Sequence, residues 1–203
     1  IRDNALAVSG LLVRKIGGKS VKPYQPPGLW EAVGYTTSNT AKFKQDEGEA
    51  LYRRSLYTFW KRTSPPPSMT VFDAPTREAC TVNRGRTNTP LQALTLMNDT
   101  QFVEAARAFA QRIMTHGGTD ARERVVYAFR LATARLPSDD ETEIVLDVYR
   151  RHLAEFQQDV EGARKLIHVG DSTPDGELNH SELAAWTMIA NLILNLDETV
   201  TKG

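Results

Sequence analysis

The chain has 203 residues, 25 basic and 25 acidic, giving a formal net charge of zero, with 40% hydrophobic residues and one cysteine. This is the composition of a globular protein with a real core. One cysteine excludes an internal disulfide and a cysteine-built metal cluster, neutral charge argues against a nucleic-acid partner, and no apolar run has the roughly 18 residues of a membrane span.

In chain order, Ile1, Ala5, Val8 and Leu12 fall at helical spacing from the first residue. No initiator methionine or basic leader precedes them, so the chain reads as a domain cut from a longer protein inside or just before a helix, with any targeting signal upstream. Gly17-Gly18-Lys19-Ser20 suggests a phosphate loop, but that pattern needs glycine where Val13 stands, and no strand precedes it. Pro23 to Pro27 reads as an extended polyproline-type segment packed across the domain, and Glu31 to Glu49 as a polar surface connection. Ser55 to Trp60 is predicted to be extended, and Ser68 to Phe72 to form a helical turn or short strand. Thr89, Pro90 and Gln92 combine an N-cap, a first-turn proline and a capping box, a strong helix start.

Everything after that is helical by periodicity. Asp99 caps a helix with Phe102, Ala106, Phe109 and Ile113 on one stripe, ended by Gly117-Gly118. Asp120 with Glu123 opens the next, and Ser138 with Glu141 forms a second capping box. A shorter helix covers about 160–169. The last, about 181–195, is apolar on nearly all sides and belongs in the middle of a bundle. The expected fold is mainly α: a multi-helix bundle with a long irregular, partly extended strap over about 15–88 and at most a small β element. The chain is expected to be a single domain over 1–203, with an N-terminal helix and irregular basic segment in 1–98 and the helical bundle in 99–203.

From Ser138 onward fourteen carboxylates stand against five basic residues, net −9, which leaves +9 for the rest. The basic stretch is Tyr52 to Asp99, where Arg53, Arg54, Lys61, Arg62, Arg77, Arg84 and Arg86 surround aromatic residues, three prolines and Cys80. Two uses of these cations stay open. They can hold an anion at the Thr89 helix start, with Arg54, Arg62, Arg77, Arg84, Arg86 and Asn88 as the binding set, or they can pair with the protein's own carboxylates. Cys80 is a candidate nucleophile because nearby arginines favour thiolate, with Asp73 and Glu78 as weaker reactive candidates. Tyr57 and Trp60 can stack on a sugar or serve as core. Asp171 to Glu182 matches a calcium loop at its first, fifth, sixth, ninth and twelfth places, Asp171, Asp175, Gly176, Asn179 and Glu182, with Asp171, Asp175, Glu177 and Glu182 as the candidate metal ligands, but Pro174 is awkward inside it and no second loop exists to pair with. The alternative for that segment is a Pro-Asp-Gly turn followed by a helix start.

Long segments carry a family resemblance: SGLLVRKIGGKSVKPYQPPGLWE, RSLYTFWKRTSPPPSMTVFDAPTREACTVNRGRTNTPLQALTLMND and ELAAWTMIANLILNLDETVTK. In colinear order they resemble the C-terminal domain of unknown function of large planctomycete and verrucomicrobial surface proteins. The resemblance implies an exported protein, periplasmic or at the cell surface, with a cytochrome-c-like domain upstream. Haem would then sit in that upstream domain, and no cofactor is expected in this region, which has no Cys-x-x-Cys-His. The implied partners are the upstream domains of the same polypeptide and envelope polysaccharide. A non-catalytic interaction or scaffold domain is expected, with an enzyme or binding module for anionic, for example sulfated, polysaccharide as the alternative and calcium binding as a lesser one.

Overall fold

The computed structural model of the chain describes residues 1–34, 37, 38, 40–83, 85 and 87–201. It is mainly α, as expected. The helices are α1 (Arg2–Ser9), α2 (Pro67–Thr70), α3 (Pro90–Asn98), α4 (Thr100–His116), α5 (Ala121–Thr133), α6 (Asp139–Gln158), α7 (Val160–Ile167), α8 (His180–Leu194) and α9 (Asp197–Val200). No sheet forms among the described residues, where the β pairings are the isolated bridges Val13–Arg53 and Val21–Thr58. Two compact units result. One joins Ile1–Leu12 to Leu96–Gly203, and the other is Val13–Thr95. The N-terminal helix thus belongs to the helical unit rather than to the strap that follows it in sequence.

In the helical unit α8 is the central element, packed by α4, α6 and α7. Trp186 is fully buried and its ring lies 4.5 Å from that of Tyr149 on α6. Local chemistry sets the ends. Asp99 accepts the Gln101 N–H at 3.0 Å, Asp120 accepts the N–H groups of Arg122 and Glu123, and the Ser138/Glu141 box closes in both directions at 2.7 and 3.1 Å. Helix α1 runs alongside the first turns of α4. Arg2 donates to Gln101 Oε1 at 2.5 Å at one end, and Arg112 Nη1 donates to Val8 O at 2.5 Å at the other. Burial pushes the Arg2 guanidinium down to about 10, with Asp3 and Asp99 opposing that shift.

The acidic C-terminal region meets its cations inside this unit. Arg122 pairs with Asp139 and Glu143, and Arg124 with Glu182 at 2.5 Å. Arg135 bridges Glu141 at 2.6 Å and Glu198 at 2.8 Å, tying the end of α5 to the starts of α6 and α9. The Arg135 hydrogen bonds and then the Ser138 N–H hold the Glu141 carboxyl down at about 2, and the same guanidinium lowers Glu198. A carboxyl depressed in the folded state stabilises above its unfolded value, and that contribution is lost as pH falls toward the folded one. Glu141→Gln should therefore lose less stability than the wild type between about pH 5 and about pH 2.5 in urea titrations. The difference should shrink in high salt because the groups are partly exposed. Equal losses in both proteins would remove Arg135–Glu141 as the acid-sensitive contact.

The strap unit holds a small aromatic core. Trp30 is buried between Phe43 at 5.1 Å and Phe59 at 5.5 Å, with the Lys61 ammonium 4.7 Å above its ring. Lys61 Nζ also donates to Thr40 O at 2.8 Å, and Asp46 pairs with the Lys22 backbone in both directions. The 31–49 connection is therefore fastened at Thr40, Phe43 and Asp46, whereas its polar composition suggested a loose surface run. The stretch expected to be extended over 55–60 starts as a 3-10 turn, Ser55–Tyr57, and extends only from Thr58.

Candidate functional site

The basic corner is built around the start of α3. Thr89 and Gln92 form the expected capping box, at 3.1 and 3.3 Å. Gln92 is buried, and its Nε2 also donates to Val71 O at 2.9 Å and to Thr87 Oγ1 at 2.8 Å. Asp73 turns the chain with φ +56°, and its carboxylate accepts the Thr87 N–H at 2.8 Å and the Thr87 hydroxyl at 2.9 Å. One glutamine and one aspartate thus tie Thr87 to the turn at Val71 and Asp73.

The predicted reactive and anion-binding residues divide between internal partners and solvent. Arg62 grips Glu78 through two hydrogen bonds, at 2.7 and 2.6 Å. These bonds raise the guanidinium's pKa and lower the carboxyl's, in a pair so exposed that solvent screens it. Arg77, at φ +63°, lies 4.6 Å over the Trp60 ring. Arg54, Cys80 and Asn88 are exposed. Arg84 and Arg86 lie outside the described residues. Asp73 acts here as a loop clamp and Glu78 as a counter-ion. The structure does not bring them together with Cys80 as one reacting group.

Arg53 is the strap's organising cation, though the sequence marked it only as one of seven. It is buried, stacks 3.9 Å from the Tyr57 ring, and donates to the carbonyls of Lys15, Gly17 and Lys19 at 3.0, 2.5 and 3.0 Å. The Tyr57 hydroxyl accepts the Gly17 N–H at 2.9 Å. A phosphate loop turns N–H groups inward toward an anion. Here the Gly-Lys-Ser segment turns three carbonyls inward toward a cation, the opposite polarity, which agrees with rejecting a phosphate loop from the sequence.

The calcium-like loop is fastened by other means. Buried Glu104 on α4 accepts from the Ser172 N–H at 2.7 Å and hydroxyl at 2.6 Å, while buried Arg107 donates to Ser172 O at 2.6 Å and Oγ at 2.5 Å. Asp175 accepts the Glu177 N–H, Asn179 caps α8 through the Glu182 N–H, and the Glu182 carboxylate is held by Arg124. Asp171, Asp175, Glu177 and Glu182 are not gathered around one point. Among the described residues no three His, Cys, Asp or Glu side chains group as a metal ion requires. Sequence reasoning missed Glu104 and Arg107. The available signal was an opposite-charge pair at i, i+3 inside the α4 stretch 102–110, which is buried throughout.

Fold and site together define an all-helical unit joined to an irregular strap whose aromatic and arginine motifs mostly build the strap itself. Residues 1–149 match the family described as a protein of unknown function (DUF1553), PSD1, and the chain belongs to that family. No curated protein and no solved structure matches the chain. No helix among the described residues is long and apolar enough to cross a membrane.

Proposed function

We propose that this region is a non-catalytic interaction module that docks an upstream domain of the same polypeptide. The resemblance to planctomycete and verrucomicrobial surface proteins makes that polypeptide exported, with haem housed in a cytochrome-c-like domain outside this region. The observation that carries the reading is the polarity of α3 in the strap unit. Its buried residue there is polar Gln92, while Leu91 and Leu94 are each 56% exposed and share one helix face. Among the described charged residues here, Arg62, Glu78, Arg77 and Asp73 already have internal partners, whereas the two leucines stand exposed.

The test is binding of the separately expressed upstream region, measured by calorimetry with wild type and with the Leu91→Ser/Leu94→Ser variant. The variant should weaken binding by about tenfold or more, since two leucines lose their burial. Equal binding would sink the docking face. For Arg62 and Arg77 to serve the anionic-polysaccharide reading, Arg62 has to leave Glu78 and Arg77 has to leave Trp60. Binding of a sulfated glycan by wild type, abolished in Arg62→Ala/Arg77→Ala, would put that reading in its place.

A further inference from the structure

The outer side of α5 carries a feature that the docking face does not use. A groove of about 810 Å³ runs from the last residue of α4, His116, along α5 to Leu131. Along α5 its lining recurs at helical spacing, Glu123, Tyr127 and Leu131 beside Val126 and Arg130. This stripe is distinct from the face that α5 buries through Val125, Ala128, Phe129 and Ala132. Residues 120–131 span about 16 Å of helix, room for a small organic molecule along the axis. The volume lies in the range of small-ligand sites rather than macromolecular interfaces.

The polar groups of the groove fall into two sets. Its acids are committed: Asp120 caps α5, and Glu123 Oε2 accepts the Thr119 N–H at 3.1 Å. Arg122 is committed too, between Asp139 and Glu143. The Tyr127 hydroxyl and the Arg130 guanidinium have no partner among the described residues, and His116 uses only Nδ1, 2.7 Å from Thr115 Oγ1. The Arg130 guanidinium can only donate and the Tyr127 hydroxyl can donate, both over a half-buried floor of Val126, the Tyr127 ring and Leu131. Tyr127 and Arg130, at i, i+3, are neighbours on the helix surface.

We propose that this groove binds a small organic carboxylate whose apolar or aromatic body lies on Val126, Tyr127 and Leu131. The carboxylate is taken by the Arg130 guanidinium, with the Tyr127 hydroxyl donating beside it. A guanidinium and a phenol are a matched donor set for a carboxylate, and an aromatic body adds contact area on the Tyr127 ring. The proposal is independent of the docking reading, because it uses only the helical unit.

The probe is 2-naphthoate, titrated into the protein and followed by amide chemical shifts and calorimetry. Saturable binding is expected, with shifts confined to 116–131. Arg130→Met keeps the apolar stem and removes the charge at an exposed position, and it should weaken binding by about tenfold with unchanged far-UV circular dichroism. The neutral analogue 2-naphthalenemethanol should bind the wild type as weakly as 2-naphthoate binds Arg130→Met. No saturation by 2-naphthoate, shifts outside the groove, or equal affinity in Arg130→Met would each overturn the proposal. So would equal saturation by acetate, which carries the charge without the body.

Discussion

Arg107→Ala is expected to destabilise the helical unit by about 3–5 kcal/mol, because it strands the buried Glu104 carboxylate and breaks the hold on Ser172. Arg107 is 2% exposed and Glu104 is fully buried, so water cannot take over the lost hydrogen bonds. Both side chains reach the backbone and hydroxyl of Ser172, 65 and 68 residues away in sequence. The variant thus loses the tie between α4 and the loop leading into α8. Chemical denaturation should show a lower midpoint, and the melting temperature should fall by on the order of 10 °C for a chain of this size. Gly170→Ala should weaken the same latch. Its φ is +97°, and an added Cβ would lie 2.6 Å from Glu104 Cγ. A normal midpoint in Arg107→Ala would show that Glu104 and Ser172 are stable without the guanidinium.

The second large effect is expected from Arg53→Ala in the strap unit. Three carbonyls lose their donor and Tyr57 loses the cation stacked on its ring, so the 15–19 loop should open. Hydrogen bonds to a charged donor are worth about 1.5–3 kcal/mol each, and a net local loss of about 3 kcal/mol raises the open population on the order of a hundredfold. Limited trypsin digestion should then cut at Lys15 and Lys19 on the order of a hundredfold faster, while α8 in the other unit keeps its amide protection. Arg53→Lys should fall close to alanine, because one ammonium cannot reach the Lys15, Gly17 and Lys19 carbonyls as a planar fork does. Unchanged cleavage at these lysines would remove Arg53 as the organiser of the loop.

Much of the helical architecture was legible because it is written in short-range chemistry. Thr89 with Gln92, Asp99 with Gln101, Asp120 with Glu123 and Ser138 with Glu141 are contacts across two or three residues, and each forms as its spacing predicts. The apolar surround of α8 likewise announced a central helix, since no other position satisfies apolar residues on all sides. The strap was less legible. Its pairings, such as Lys61 with the Thr40 carbonyl or Tyr57 with Gly17, join residues 21 to 40 apart through turns that no periodicity marks. The candidate site was legible in its members and not in their roles. Seven cations could be named, but their spacing did not say that Arg62 takes Glu78, Arg77 takes Trp60 or Arg53 takes three carbonyls.

The charge split shows the same division. The sequence alone established a −9 C-terminal region, the helices with their caps, and a mainly α fold in a family of unknown function. Tertiary structure decided where each charge is used. Arg122, Arg124 and Arg135 meet the C-terminal carboxylates, Glu104 and Arg107 fasten the calcium-like loop from beneath, and Tyr127 and Arg130 are left facing an open groove. The reason is range. A cap or an apolar stripe is fixed by backbone geometry within a turn or two, so residue type and spacing suffice to predict it. A long charged side chain can reach any of several partners, and the path of the folded chain alone selects which one it meets.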